Sequence, residues 1–94
     1  MLKYIKYLLL NNNKLLDTHL QFFTNIEMLE LNYNTNITNN SLKYLKNIKT
    51  LYLEANKNIT NDGLKYLSFA NNIQNLNLAY NNKITNNGLK YLYS

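Results

Sequence analysis

Three nine-residue segments repeat almost word for word. Ile-Thr-Asn-Asn-Ser-Leu-Lys-Tyr-Leu starts at Ile37, Ile-Thr-Asn-Asp-Gly-Leu-Lys-Tyr-Leu at Ile59, and Ile-Thr-Asn-Asn-Gly-Leu-Lys-Tyr-Leu at Ile84. Each follows a Leu-x-Leu-x-x-Asn run: Leu29, Leu31 and Asn34; Leu51, Leu53 and Asn56; Leu76, Leu78 and Asn81. A looser first copy carries Leu8, Leu10 and Asn13, so the aligned leucines stand 21, 22 and 25 residues apart. At that period a chain stacks short supersecondary units, because no single unit can bury its own apolar residues.

Within a unit the apolar spacing changes. Leu-x-Leu alternates with the period of a strand that has one buried face. Leu42 and Leu45, Leu64 and Leu67, and Leu89 and Leu92 then stand three apart, which is helical spacing. Thr38, Thr60 and Thr85 are placed to cap that helix by accepting an orphan backbone N–H, and Asp62 adds favourable charge near a helix start. Ile5, Ile26, Ile48 and Ile73 precede the first strand leucine by three residues, and Leu16, Ile37, Ile59 and Ile84 follow the asparagine by three. The first unit has one residue fewer and offers Leu20 and Phe23 as its helical pair. The third gains three residues within Ser68–Asn72, where Phe69 is expected to cover the longer return.

These residues resemble the leucine-rich repeat family. Leu-x-Leu-x-x-Asn-x-x-Ile-Thr-Asn-x-Gly-Leu-x-x-Leu is similar to the subtype of F-box-associated repeat proteins, in which Ile-Thr-Asp-x-Gly-Leu is typical. In much of that subtype a cysteine stands where this chain has Asn13, Asn34, Asn56 and Asn81. The resemblance covers almost the whole sequence and implies an α/β solenoid of about four units (1–25, 26–47, 48–72 and 73–94) in one domain. Short parallel strands would line its concave face and short helices its convex face. It also implies that the four asparagines turn inward and bond to backbone groups of neighbouring coils, and that the concave strands bind another protein. A role in substrate recognition by a ubiquitin ligase would need an F-box supplied elsewhere, since these 94 residues contain none.

Bulk properties narrow the class further. A chain of 94 residues buries only about two-thirds of its unfolded surface, so modest stability is expected. Without cysteine there is no disulfide framework and no thiolate metal site, which suits an intracellular, cytoplasmic protein. Met1–Leu10 is interrupted by Lys3 and Lys6, lacks a small-residue cleavage site and is too short to span a bilayer, so it reads as the first unit's strand. All ten basic residues are Lys, and Asn is abundant while Arg, Pro, Val, Trp and Cys are absent, the signature of AT-rich codons. The sequons at Asn36, Asn39 and Asn58 are no more than such a composition produces by chance. Neither Met1–Leu10 nor Leu89–Ser94 has the character of a polar terminal cap. That leaves open a segment of a longer array, self-association through the ends, or the product of a decayed gene.

The binding candidates are the residues between the leucines, which point away from the core. They are Tyr7, Leu9 and Asn11; Met28, Glu30, Asn32 and Tyr33; Thr50, Tyr52, Glu54 and Ala55; and Asn75, Asn77, Ala79 and Tyr80. Tyrosines and other exposed apolar groups there can anchor a protein partner, with Asn32, Asn75 and Asn77 bonding to it and Glu30 and Glu54 favouring a basic patch on it. The net charge of +5 lies elsewhere, with Lys43, Lys46, Lys65 and Lys90 on the helical side beside Phe22, Tyr44, Tyr66 and Tyr91. That aromatic and cationic column supports an alternative reading as a nucleic-acid surface. A spacer with no ligand is a third. Catalysis is not expected, nor any cofactor or metal. His19 is the only histidine, and no serine has a base partner in the pattern. Gly63 and Gly88, the only glycines, hold matching positions at a helix start rather than forming a phosphate loop.

Overall fold

A computed structural model describes residues 5–70 and 72–92. Residues 1–4 of the expected opening strand, Asn71 within the insertion, and residues 93–94 lie outside the described residues. Among the described residues four short strands alternate with four helices: β1 (Tyr7–Leu9), α1 (Asp17–Leu20), β2 (Met28–Glu30), α2 (Asn39–Leu42), β3 (Thr50–Tyr52), α3 (Asn61–Leu67), β4 (Asn75–Asn77) and α4 (Asn86–Leu89). A 3-10 turn, Lys90–Leu92, follows α4. The strands form one parallel sheet in the order β1-β2-β3-β4. Leu8, Leu29, Leu51 and Leu76 pair in one row, so the chain is α/β.

The leucine pattern places the core. Leu29, Leu31, Leu51 and Leu53 point from the sheet toward the helices and are fully buried, as are Ile26, Ile37, Ile48 and Ile59. Leu20, Leu42, Leu45, Leu64 and Leu67 close on them from the helical side. The outer units contribute half-buried counterparts, among them Ile5, Leu8, Leu76, Ile84, Leu89 and Leu92.

Thr38, Thr60 and Thr85 cap their helices as expected, each side chain accepting the backbone N–H two residues on. In the first unit Leu16 occupies the cap position, is half exposed (50%), and its own N–H donates to His19 Nδ1 at 3.0 Å. The missing residue therefore lies between Asn13 and Leu15. Leu15, not the expected Leu16, packs on the core, and Leu16 stands where the other units have threonine. The third unit's helix runs on to Leu67, where Ser68 caps it with its N–H donating to the carbonyls of Leu64 and Lys65, ahead of the extra residues. Phe69 does not cover this return: it is 73% exposed, and the small Ala70 is the residue that turns inward.

Three ladders of polar side chains join successive units. In the first, Asn34 Nδ2 donates to Leu10 O at 2.7 Å, Asn56 Nδ2 to Leu31 O at 2.9 Å, and Asn81 Nδ2 to Leu53 O at 2.7 Å. Asn56 and Asn81 return the favour through Oδ1, which accepts Asn34 N–H at 3.0 Å and Asn56 N–H at 2.8 Å. Asn13 departs from the expected role. It is exposed, and its amide reaches only Asn11 O, two residues back. Correspondingly, the buried Asn34 Oδ1 has no hydrogen-bond partner.

The second ladder runs along the helix starts. Asn39 accepts Thr60 N–H at 2.9 Å and donates to its hydroxyl at 2.8 Å, and Asn61 does the same for Thr85, both at 2.9 Å. A Cβ on Gly63 or Gly88 would overlap the Oδ1 of Asn39 or Asn61 respectively. Where Ser41 stands at the glycine position, Asp17 of the preceding unit replaces the asparagine and accepts from Thr38 N–H, the Thr38 hydroxyl and the Ser41 hydroxyl. Ser with Asp and Gly with Asn are thus two solutions to one contact. The third ladder lies on the sheet face, where Asn11 Oδ1 accepts Asn32 N–H at 2.8 Å and Asn32 Oδ1 accepts Glu54 N–H at 2.7 Å.

Candidate binding surface on the open sheet

Parallel sheets are ordinarily covered on both faces. Here the helices lie on one side, and no element among the described residues covers the other. The side chains alternating with the core leucines form an open array whose rows follow the pairing register. Tyr7, Met28, Thr50 and Asn75 make the first row, and Leu9, Glu30, Tyr52 and Asn77 the second. Continuing the register, Asn11, Asn32, Glu54 and Ala79 make the third. None of the twelve is buried: Tyr7, Leu9, Asn75 and Ala79 are exposed and the rest half-buried. The sequence candidates thus come together on one surface, apolar at the β1 corner and amide-rich at β4.

A fourth row, Asn12, Tyr33, Ala55 and Tyr80, completes the surface where each strand turns toward its helix. All four residues have left-handed backbone, with φ of 61°, 63°, 58° and 61°. Asparagine tolerates this conformation, whereas for tyrosine and alanine it costs about 1–2 kcal/mol each. The sequence places these residues beside the structural asparagine but gives no glycine to reveal the turn. Tyr33 and Tyr80 are exposed at 49% and 73%, and Ala55 between them is half-buried.

Electrostatically the array is acidic. Glu30 accepts Asn11 Nδ2 at 2.7 Å, Glu54 accepts the Tyr33 hydroxyl at 3.2 Å, and no lysine occupies any of the four rows. The Glu54 carboxylate, through charge and hydrogen bond, raises the Tyr33 phenol above its ordinary value, with Tyr80 contributing less. At the strand entrance, Lys6 and Lys49 flank Glu27 at 3.6 and 3.5 Å. Several of the amides expected to meet a partner are already engaged. Asn32 Oδ1 belongs to the ladder, Asn77 Oδ1 accepts Ala79 N–H at 2.9 Å, and Asn75 Nδ2 donates to the Thr50 hydroxyl at 3.3 Å.

The helical side carries the opposite charge. Lys43 Nζ lies 5.2 Å from the centroid of the Tyr44 ring, and Lys65 Nζ lies 5.4 Å from that of Tyr91, with Asp62 Oδ1 at 3.7 Å. Tyr91 first, and Asp62 after it, hold the Lys65 ammonium above the ordinary lysine range. Phe22, Tyr66 and Phe69 are exposed on this side, while Tyr44 packs on the core. Asp17 is the other perturbed acid. Its partial burial acts to raise its pKa, but hydrogen bonds from Ser41 and Thr38 prevail, with help from Lys43, and its net shift is downward.

Among the described residues no cluster of three or more His, Cys, Asp or Glu could hold a metal ion, and no helix is long and apolar enough to cross a membrane. No model of a known protein family matches the sequence, and a search of curated proteins finds no match.

Proposed function

We propose that this chain is a leucine-rich-repeat solenoid that binds a protein partner through its concave sheet face, as a non-catalytic module in the cytoplasm. The observation that carries the reading is the uncovered parallel sheet, whose outward rows hold exposed Tyr7 and Leu9 and half-buried Met28 and Tyr52 where a second layer would ordinarily sit. Burying these side chains supplies non-directional affinity at about 25 cal/mol per Å² of apolar surface, less the cost of association. Glu30 and Glu54 select a partner with a basic patch and repel acidic ones.

The test compares immobilised wild type with a Tyr7→Ser, Leu9→Ser, Tyr52→Ser variant whose fold is verified by circular dichroism, in lysate treated with nuclease. Proteins retained by wild type and lost from the variant support the reading, whereas equal retention by both refutes it. A second reading, single-stranded nucleic acid on the helical side, is favoured by the Lys43–Tyr44 and Lys65–Tyr91 contacts. It requires oligonucleotide affinity that falls steeply with salt and is insensitive to the sheet-face substitutions.

A further inference from the structure

Tyr33 and Tyr80 stand on either side of Ala55 in the left-handed row, and we propose that together with Glu54 they form a slot that clamps one arginine side chain of the partner. The inference rests on the proposed binding face and specifies the chemistry it recognises.

The register gives the geometry. Tyr33 N–H donates to Glu54 O and Ala55 N–H donates to Ala79 O, both in the pattern of the strands before them, so Tyr33, Ala55 and Tyr80 occupy equivalent positions three residues past the ends of β2, β3 and β4. Adjacent strands lie about 4.8 Å apart, which puts the two tyrosine positions roughly 10 Å from each other. Only the methyl of Ala55 lies at the equivalent position between them. Two aromatic rings with a flat group between them need about 7 Å, so a planar cation fits with room for the rings to lean. The shared left-handed backbone, with φ near 60° at all three residues, gives the three side chains a common departure from the sheet.

Charge selects the occupant. Glu54 is held beside the slot by the Tyr33 hydroxyl at 3.2 Å and by its own N–H on Asn32 Oδ1. It keeps one carboxylate oxygen outside that tyrosine bond, and none of the ion pairs among the described residues involves it. A guanidinium stacks flat on aromatic rings and bonds a carboxylate through a planar fork, whereas an ammonium is a strongly hydrated point charge. The slot therefore takes arginine in preference to lysine.

The experiment is a titration of the full chain, labelled with 15N, with the blocked pentapeptides Gly-Gly-Arg-Gly-Gly, its lysine counterpart and its citrulline counterpart. The expected result is a saturable shift of the Tyr33, Ala55 and Tyr80 amides with the arginine peptide, at least fivefold weaker with lysine and absent with citrulline. Ala55→Phe, which fills the slot, and Glu54→Gln, which removes its charge, should each weaken the arginine peptide at least tenfold while leaving the rest of the amide spectrum in place. Absence of shifts, shifts confined to the helical side, or equal binding of all three peptides would overturn the assignment. If Ala55→Phe and the arginine peptide both leave capture of the sheet-face partner unchanged, the clamp is wrong while the binding face survives. Loss of capture in the Tyr7, Leu9, Tyr52 variant with an intact peptide response leaves both standing.

Discussion

The first and third units occupy equivalent places in the sheet and are held very differently. In the third, Asn56 is completely buried and its side chain makes two bonds to the backbone of the preceding unit, Thr60 caps its helix, and Asn61 grips the next cap. In the first, Asn13 is exposed, leucine replaces the capping threonine, and the inter-unit contact passes to the carboxylate of Asp17. The same residue type in the same repeat position can therefore be structural in one unit and nearly idle in another. What differs is whether a neighbour presents the backbone groups it would satisfy.

Deleting the same side chain in both units should give the largest difference between them. Asn56→Ala leaves Asn34 N–H and Leu31 O without partners and should cost about 3 kcal/mol. Asn13→Ala should cost less than about 0.5 kcal/mol. Urea unfolding of the two variants checks this, and equal losses would mean that the ladder is not what separates the units. Next in size is the glycine contact. Gly63→Ala forces a methyl into Asn39 Oδ1 and should destabilise by about 2 kcal/mol, and a cycle of Gly63→Ser with Asn39→Asp, which imports the Asp17–Ser41 pair, should recover about 1 kcal/mol.

Asp17 supplies a pH-dependent contrast that no asparagine ladder can show. Its folded pKa is lowered, so the unfolded chain binds the proton more readily through that window. Its contribution is present above the unfolded value of 3.8 and is lost as pH falls through the folded one. Urea midpoints measured from pH 6 to pH 2 should drop more in wild type than in Asp17→Asn, which at neutral pH should itself cost about 1 kcal/mol by replacing charge-assisted bonds with neutral ones. The smallest effect expected is a gain. Ala55→Asn places the first unit's left-handed residue in the third and should raise stability by roughly 0.5 kcal/mol, seen as a small increase in Tm.

Much of this was legible in the sequence because period and alternation report directly on burial. The strand leucines, the isoleucine columns, the threonine caps and the sheet-face candidates follow from spacing alone. Contacts between units were less legible, since they depend on which neighbour is in reach. Leu15 and Leu16 are both leucine, so only the packing shows which one faces the core, and Phe69 is apolar yet lies outside because Ala70 fits the space. Nothing in an asparagine-rich sequence singles out Asn39 and Asn61, although each fixes the next helix cap and explains its glycine. The left-handed row was hidden because its residues are not the glycines that usually announce such a turn.

The asparagine ladder also has a direction. Asn56 completes the backbone of the unit before it, 22 residues upstream, and Asn81 does so for Asn56, 25 residues upstream. A nascent chain emerging from its N-terminus thus cannot finish these turns until the following unit has been made. At about 5–20 residues per second that lag is on the order of one to five seconds, so each unit waits, partly unlatched, for its successor to close it.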